Sequence, residues 1–166
     1  MKFKNLFIFF FLLLSVTVFS QEKIIAGVEI IGTKKLKKTF IHKLLLSKKG
    51  AVLDSANIQK DIILLKRLPA VRHAYYQVSQ VKNNTYNVAI TLEENVTILP
   101  GINIWTTTNK QFSYKLGLYE YNLFGKNITF GGYYQNNGFD SYGINFKAPN
   151  LFSKKWGLAA SHQNWK

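Results

Sequence analysis

The second half of the chain, residues 96–166, alternates apolar and polar side chains with a period of two. In the clearest segment the apolar positions are Phe112, Tyr114, Leu116 and Leu118. A period of two gives a β-strand one apolar face and one polar face. Aromatic-rich segments of this length, separated by Asn, Gly and Asp turns, are typical of transmembrane β-barrels. We therefore predict that this half forms antiparallel strands of an outer-membrane barrel.

The predicted strands are residues 102–108, 112–121, 128–135, 141–147 and 156–162. The joints between them are short and polar, which favours antiparallel neighbours. The apolar face would contact lipid, and the face with Ser, Thr, Gly, Asn and Lys would line a wet interior. The alternative is a soluble sheet packed on a second sheet, and the abundance of Tyr, Phe, Trp and Gly favours the barrel.

About five strands are too few to close a bacterial barrel, which has about eight or more. An open edge in lipid would leave unpaired backbone groups that cost several kcal/mol each. We therefore expect the chain to be the N-terminal fragment of a longer protein, holding the first third or so of the barrel. Assembly of one barrel from several copies is the less simple alternative.

The N-terminus predicts export from the cytoplasm. Lys2 and Lys4 precede an apolar run from Leu6 to Val18, and Ser20 offers a small residue for cleavage. This order is that of a secretory signal peptide, here residues 1–20. The run is shorter than the roughly 20 residues of a spanning helix, so an uncleaved anchor is the weaker alternative.

Composition argues against catalysis. The chain has no cysteine, which excludes disulfides and thiolate chemistry. Its three His and eight carboxylates lack metal-ligand spacing, and no Gly-rich phosphate loop is present. We therefore expect neither an enzyme nor a metal or cofactor site. The net charge of +14 is compatible with a solvated Lys-rich surface, or with binding to an anionic lipid or an acidic partner. The predicted export argues against a role in nucleic-acid binding.

Residues 21–95 predict a small α+β domain with the element order β-α-α-β-β. The helical periodicity includes Phe40, Ile41, Leu44 and Leu45 in the first helix. The second helix begins after an N-cap at Asp54 or Ser55 and ends before Pro69. The predicted strands are residues 24–31, 71–81 and 86–92, the last two joined by a turn at residues 82–85.

Short motifs in this order resemble those of the POTRA (polypeptide-transport-associated) family. They are Val28-x-Ile30-x-Gly32, Gly50-x-x-Leu53-Asp54 and a last strand ending on Glu93. Asn122-Leu123-Phe124-Gly125-Lys126 and Ala148-Pro149-Asn150-Leu151-Phe152 resemble two early turns of the insertase barrel. The chain departs from the family in three ways. It has room for one POTRA repeat where the insertases usually carry several, and it has Pro69-Ala70-Val71 where a Gly-Phe pair is common. It also lacks the Arg-Gly-Phe/Tyr loop motif of the late barrel.

The resemblance implies a Gram-negative outer-membrane protein assembly or translocation factor with its POTRA domain in the periplasm. Such a domain would bind unfolded outer-membrane polypeptides or partner lipoproteins. The expected route is addition of a client strand to the edge strand, and the predicted client-binding residues are Arg72, His73, Ala74, Tyr75, Tyr76, Gln77 and Val78. An ordinary edge, protected by Arg72 and by twist, is the alternative. At the level of the protein, the alternatives are a two-partner secretion transporter and a soluble periplasmic adaptor.

Overall fold

The computed structural model describes residues 22–150 and 156–165. The predicted signal peptide therefore lies outside the described residues, as does the end of the motif that begins at Ala148. The described part contains two α-helices and eight β-strands. In chain order they are β1 (Ile24–Ile31), α1 (Lys38–Leu44), α2 (Ser55–Lys66), β2 (Val71–Lys82), β3 (Thr85–Glu94), β4 (Ile98–Thr106), β5 (Phe112–Leu123), β6 (Ile128–Asn136), β7 (Asp140–Ala148) and β8 (Leu158–Asn164).

The first three strands form the small sheet, in the order β1-β3-β2, with β1 parallel and β2 antiparallel to β3. Val88, Ile90 and Leu92 alternate along the central strand and are buried, since the helices cover that face. Ile41 of α1 and Leu65 of α2 complete the same core and are fully buried. The predicted α+β domain and its element order are therefore confirmed.

Two carboxylates cap backbone at the helices. Asp54 is the N-cap of α2, and its side chain accepts the N–H of Ala56 at 2.8 Å, which selects it over Ser55. Asp61, within α2, is almost fully buried and accepts the N–H groups of Leu46 and Ser47 at 2.6 and 2.8 Å. Asp61 thus satisfies backbone donors just after α1, where orphaned groups would otherwise be buried.

The remaining strands form the large sheet, an antiparallel meander in the order β4-β5-β6-β7-β8. Directly paired residues lie on the same face, and the register aligns apolar residues across it: Leu118 with Gly132, Gly132 with Ile144, Leu116 with Tyr134 and Tyr134 with Tyr142. We call this the apolar face. Away from its foot at Ile128 it is open in the described residues, since Ile102 and Leu118 are 72% and 58% exposed.

Among the strands whose boundaries differ from the sequence prediction, β4 and β8 are shifted at both ends by two residues or more. Strand β4 begins at Ile98 rather than at residue 102, because Pro100 is tolerated where a strand has a neighbour on one side only. Strand β8 covers Leu158–Asn164 rather than 156–162, because the ladder with β7 starts at the pair Ala148 and Leu158.

The opposite face of the large sheet packs tyrosine rings over glycines. A Cβ at Gly143 would lie 2.5 Å from Cε1 of the Tyr133 ring, and a Cβ at Gly131 would meet the Tyr119 ring at the same distance. The Nζ atom of Lys115 lies 3.7 Å from the Tyr133 ring centroid. A side chain at Gly143 would thus displace the Tyr133 ring, and one at Gly131 would also overlap the Leu118 carbonyl oxygen, so glycine is favoured at both positions by a close approach, as is common inside strands.

Candidate client-binding edge and domain contact

Strand β2 is an edge of the small sheet, and all the residues from Arg72 to Val78 lie on it. Arg72 occupies an irregularity in the ladder, since the register with β3 shifts between Val71 and His73. Such an irregularity interrupts pairing at the start of the strand, but the ladder is regular from His73 to Gln80. The regular part of this edge strand therefore begins after Arg72.

The side chains of this edge divide between two faces. Ala74 is buried on the helix side, and Tyr76 packs against the core. Val78 shares that face by alternation but is 40% exposed, because the helices cover the sheet less fully there. Tyr75 lies on the opposite face and is 48% exposed, with His73 and Gln77 beside it on the strand.

The other edge of the small sheet is partly covered by the chain itself. The N–H of Ile25 donates to the Ala51 carbonyl at 2.9 Å, and the N–H of Gly50 donates to the Ile25 carbonyl at 2.8 Å. The Leu53 N–H adds a bond of 2.7 Å to the Lys23 carbonyl. Segment 50–53 thus occupies the start of the β1 edge, whereas no strand in the described part of the chain pairs with the outer side of β2.

A second feature is the contact between the domain and the large sheet. The Glu94 carboxylate, at the end of β3, accepts the backbone N–H groups of Lys34, Lys35 and Leu36 at 2.7 to 3.0 Å. The next residue, Lys37, donates its N–H to the Gly125 carbonyl at 3.0 Å. The loop 34–37 is therefore held from one side by the small sheet and from the other by a turn of the large sheet.

The backbone conformation of the turn between β5 and β6 permits this contact. Asn122 closes it, because its side-chain oxygen accepts the Asn127 N–H at 3.0 Å and its carbonyl accepts the Gly125 N–H at 2.9 Å. Phe124 and Gly125 have φ of 59° and 70°. A Cβ at Gly125 would overlap the Lys35 carbonyl oxygen, so only glycine permits the approach. Sequence analysis found this motif by resemblance but missed its partner loop.

Two clefts flank the contact. The first lies between α1 and the turn and includes Lys43 and Lys126. The second lies between α2 and the strand ends and includes Arg67 and Lys147. Each cleft thus brings together a cation from the domain and a cation from the large sheet. No carboxylate lines either of them.

Two features are absent from the residues that the structure describes. Within residues 22–150 and 156–165, no three His, Asp or Glu side chains are grouped as metal ligands would be. Neither helix of these ranges has the length and apolar character that crossing a bilayer requires.

Comparisons with known proteins agree with this architecture. Residues 23–97 match the POTRA family model, described as a surface antigen variable number repeat. The crystal structure of BamA from Haemophilus ducreyi lacking POTRA domains 1–3 matches with a TM-score of 0.69 at 17% identity, over 84% of this chain and 27% of that one. CdiB from Acinetobacter baumannii matches with a TM-score of 0.55 at 15% identity, over 85% of this chain and 28% of that one.

The chain therefore spans just over a quarter of the length of these two solved structures. No curated protein matches its sequence. At this identity the structural likeness establishes the fold. Residues 23–97 thus match the model of the POTRA family, and the antiparallel sheet that follows, unclosed in the described residues, has the fold of part of the BamA barrel.

Proposed function

We propose that this chain is part of an outer-membrane protein assembly or translocation factor. Its POTRA domain binds unfolded client polypeptide or partner subunits in the periplasm, and its large sheet lies in the outer membrane. The observation that carries the proposal is that one chain joins two parts: a domain with an open edge strand, and a sheet with an exposed apolar face. The role is binding and transport rather than catalysis.

The apolar face supports a membrane location. Ile104, Phe112 and Ile144 on it are 60%, 61% and 49% exposed. Full burial of such a side chain contributes about 1.5–3 kcal/mol, so a face of this size in water would be strongly unfavourable. In lipid the same face has apolar surroundings. Backbone groups at the outer edges of β4 and β8 would then need partners, and further strands would have to supply them.

The β2 edge supports client binding. It is a strand of 12 residues whose outer backbone groups have no strand neighbour among the described residues. Tyr75, Val78 and Val81 add exposed apolar surface along it, at 48%, 40% and 51%. An extended client can therefore gain main-chain hydrogen bonds from the edge and side-chain contacts on both faces.

Proline substitution tests the client edge. Alternate residues of an edge strand direct their N–H groups outward. Either Tyr75 or Tyr76 therefore has an outward N–H group. Replacing that residue with proline removes the outward donor without breaking the ladder to β3. The folded variant of Tyr75→Pro and Tyr76→Pro, identified by circular dichroism, should lose crosslinking to an unfolded outer-membrane polypeptide. The matching alanine variant retains the N–H group and should retain crosslinking; unchanged crosslinking in the folded proline variant would refute edge addition.

Fractionation tests the membrane location separately. Extraction that depends on detergent is the expected result, and release by osmotic shock would instead identify a soluble periplasmic adaptor. A two-partner secretion transporter has the same arrangement of domain and sheet. Crosslinking to a single secreted polypeptide, rather than to several unrelated outer-membrane polypeptides, would favour that second candidate.

A further inference from the structure

The cleft between α1 and the β5–β6 turn combines an apolar floor with two cations. It encloses about 260 Å³ and is lined by Thr39, Phe40, Lys43, Lys126, Ile128 and Asn150. Phe40 and Ile128 are buried, whereas Lys43 and Lys126 are exposed. The cleft therefore offers positive charge at its mouth and hydrocarbon contact inside.

This cleft lies at the foot of the apolar face. Ile128 begins β6, and Phe130 and Gly132 follow it at intervals of two residues, so the three positions share one face. Gly132 forms the base of a shallow groove whose walls include Leu118, Ile144 and, at the end nearer the cleft, Glu120. At about 3.3 Å per residue, the groove lies roughly 13 Å above the cleft along the strand. The cationic cleft and the apolar groove thus follow one line.

The charge at the cleft remains positive when its neighbours are included. Glu120 also lies on the apolar face, one pair above the cleft and opposite Phe130. Its carboxylate accepts the Asn122 N–H at 2.6 Å and therefore already has a donor. Lys43 and Lys126 together exceed this single carboxylate. Lysine ammonium groups suit a phosphate, which they bind as point charges.

We propose that this cleft binds the phosphodiester headgroup of an anionic phospholipid, with one acyl chain along Phe130 toward the Gly132 groove. The inference rests on the proposed membrane location, since the cleft then lies at the level of the headgroups. Inorganic phosphate would use the two cations but gain nothing from the groove. An anionic amphiphile uses both.

Vesicle binding by the full chain tests the proposal. Its affinity is measured for vesicles of phosphatidylcholine alone and for vesicles that also contain phosphatidylglycerol. A lysine near an anionic surface contributes about fivefold, so the double variant K43Q/K126Q should reduce the ratio of the two affinities by about 30-fold. The control is K48Q/K49Q, which removes equal charge beside Gly50, a residue that contacts the start of β1 at the end of the domain away from Glu94.

The outcomes separate three possibilities. A large loss in K43Q/K126Q with less than about threefold loss in K48Q/K49Q supports the cleft. Equal losses in the two variants, or no preference of the wild-type chain for phosphatidylglycerol, would overturn it. Inorganic phosphate that competes as well as short-chain phosphatidylglycerol would also overturn it. Failure of the wild-type chain to bind either vesicle would instead refute the membrane location itself.

Discussion

Replacing Gly125 by alanine should release the loop 34–37 from the large sheet while both sheets stay folded. Gly125 has φ of +70°, a conformation that costs alanine about 1–2 kcal/mol. The new Cβ would overlap the Lys35 carbonyl, so the contact must open and lose the hydrogen bond from Lys37 N–H to the Gly125 carbonyl. That bond contributes about 1 kcal/mol. The φ cost remains when the contact opens, whereas the overlap adds about 1–2 kcal/mol, as overpacking does, to the loss of the bond. The contact should therefore weaken by about 2–3 kcal/mol.

Hydrogen exchange at the Lys37 amide measures this weakening directly. In the full chain in detergent micelles, its protection should fall by about 30- to 150-fold. Gly50→Ala is the matched control, because Gly50 also has positive φ, 83°, but a Cβ there meets nothing within 4 Å. Protection of Lys37 should change less than about threefold in that control. The reasoning is refuted if Gly125→Ala leaves the Lys37 amide as protected as in wild type, or if Gly50→Ala exposes it equally.

Three other substitutions, two of them paired with a control substitution, test the capping and packing described above. Glu94→Gln removes the negative charge of a carboxylate that accepts three backbone N–H groups, so it should lower the free energy of unfolding of the N-terminal α+β domain by about 1–2 kcal/mol in urea. An unchanged midpoint would exclude a stabilising role for this carboxylate. Asp61→Asn changes a buried carboxylate that has two backbone donors and should cost about 2–3 kcal/mol in the same assay. Its control, Asp54→Asn, should be nearly neutral because Asn is an equally good N-cap. Equal effects of the two substitutions would contradict the capping roles given to these carboxylates. Gly143→Ala should destabilise the large sheet by about 1–3 kcal/mol in thermal unfolding in micelles, because the new Cβ meets the Tyr133 ring. Its control, Gly101→Ala, places a Cβ that has nothing within 4 Å and should change the stability by less than about 0.5 kcal/mol. Similar unfolding temperatures for the two variants would disprove the ring packing.

Local periodicity was sufficient to predict most of the strands and the face that each residue occupies. Strand β1 covers the predicted residues 24–31, and the turn at residues 82–85 joins β2 and β3 as expected. Both depend on neighbours within a few residues. The pattern failed at Pro100, where the position of β4 at the edge of the described sheet, rather than the residue itself, decides whether a strand can form.

Contacts between distant segments were beyond sequence reasoning. Glu94 caps a loop about 60 residues earlier, and Asp61 caps backbone 14 and 15 residues away. A carboxylate carries no mark in the sequence of the N–H groups it will meet. Segment 50–53 has no alternating pattern either, so its position along β1 followed only from the structure. The edge position of β2 came from family resemblance, and client binding there stays a prediction.

The open β2 edge also has a direction. Strand β2 begins at Val71, which pairs with Glu94 beside the contact with the large sheet, and it ends at Lys82, far from that contact. A client strand that pairs antiparallel to β2 would therefore point its C-terminal end toward the large sheet. A client that pairs parallel to β2 would arrive with its N-terminal end first. Segment 50–53 occupies the start of the opposite edge, which leaves β2 as the open one. The polarity of pairing along β2 would therefore set which end of a client reaches the large sheet first.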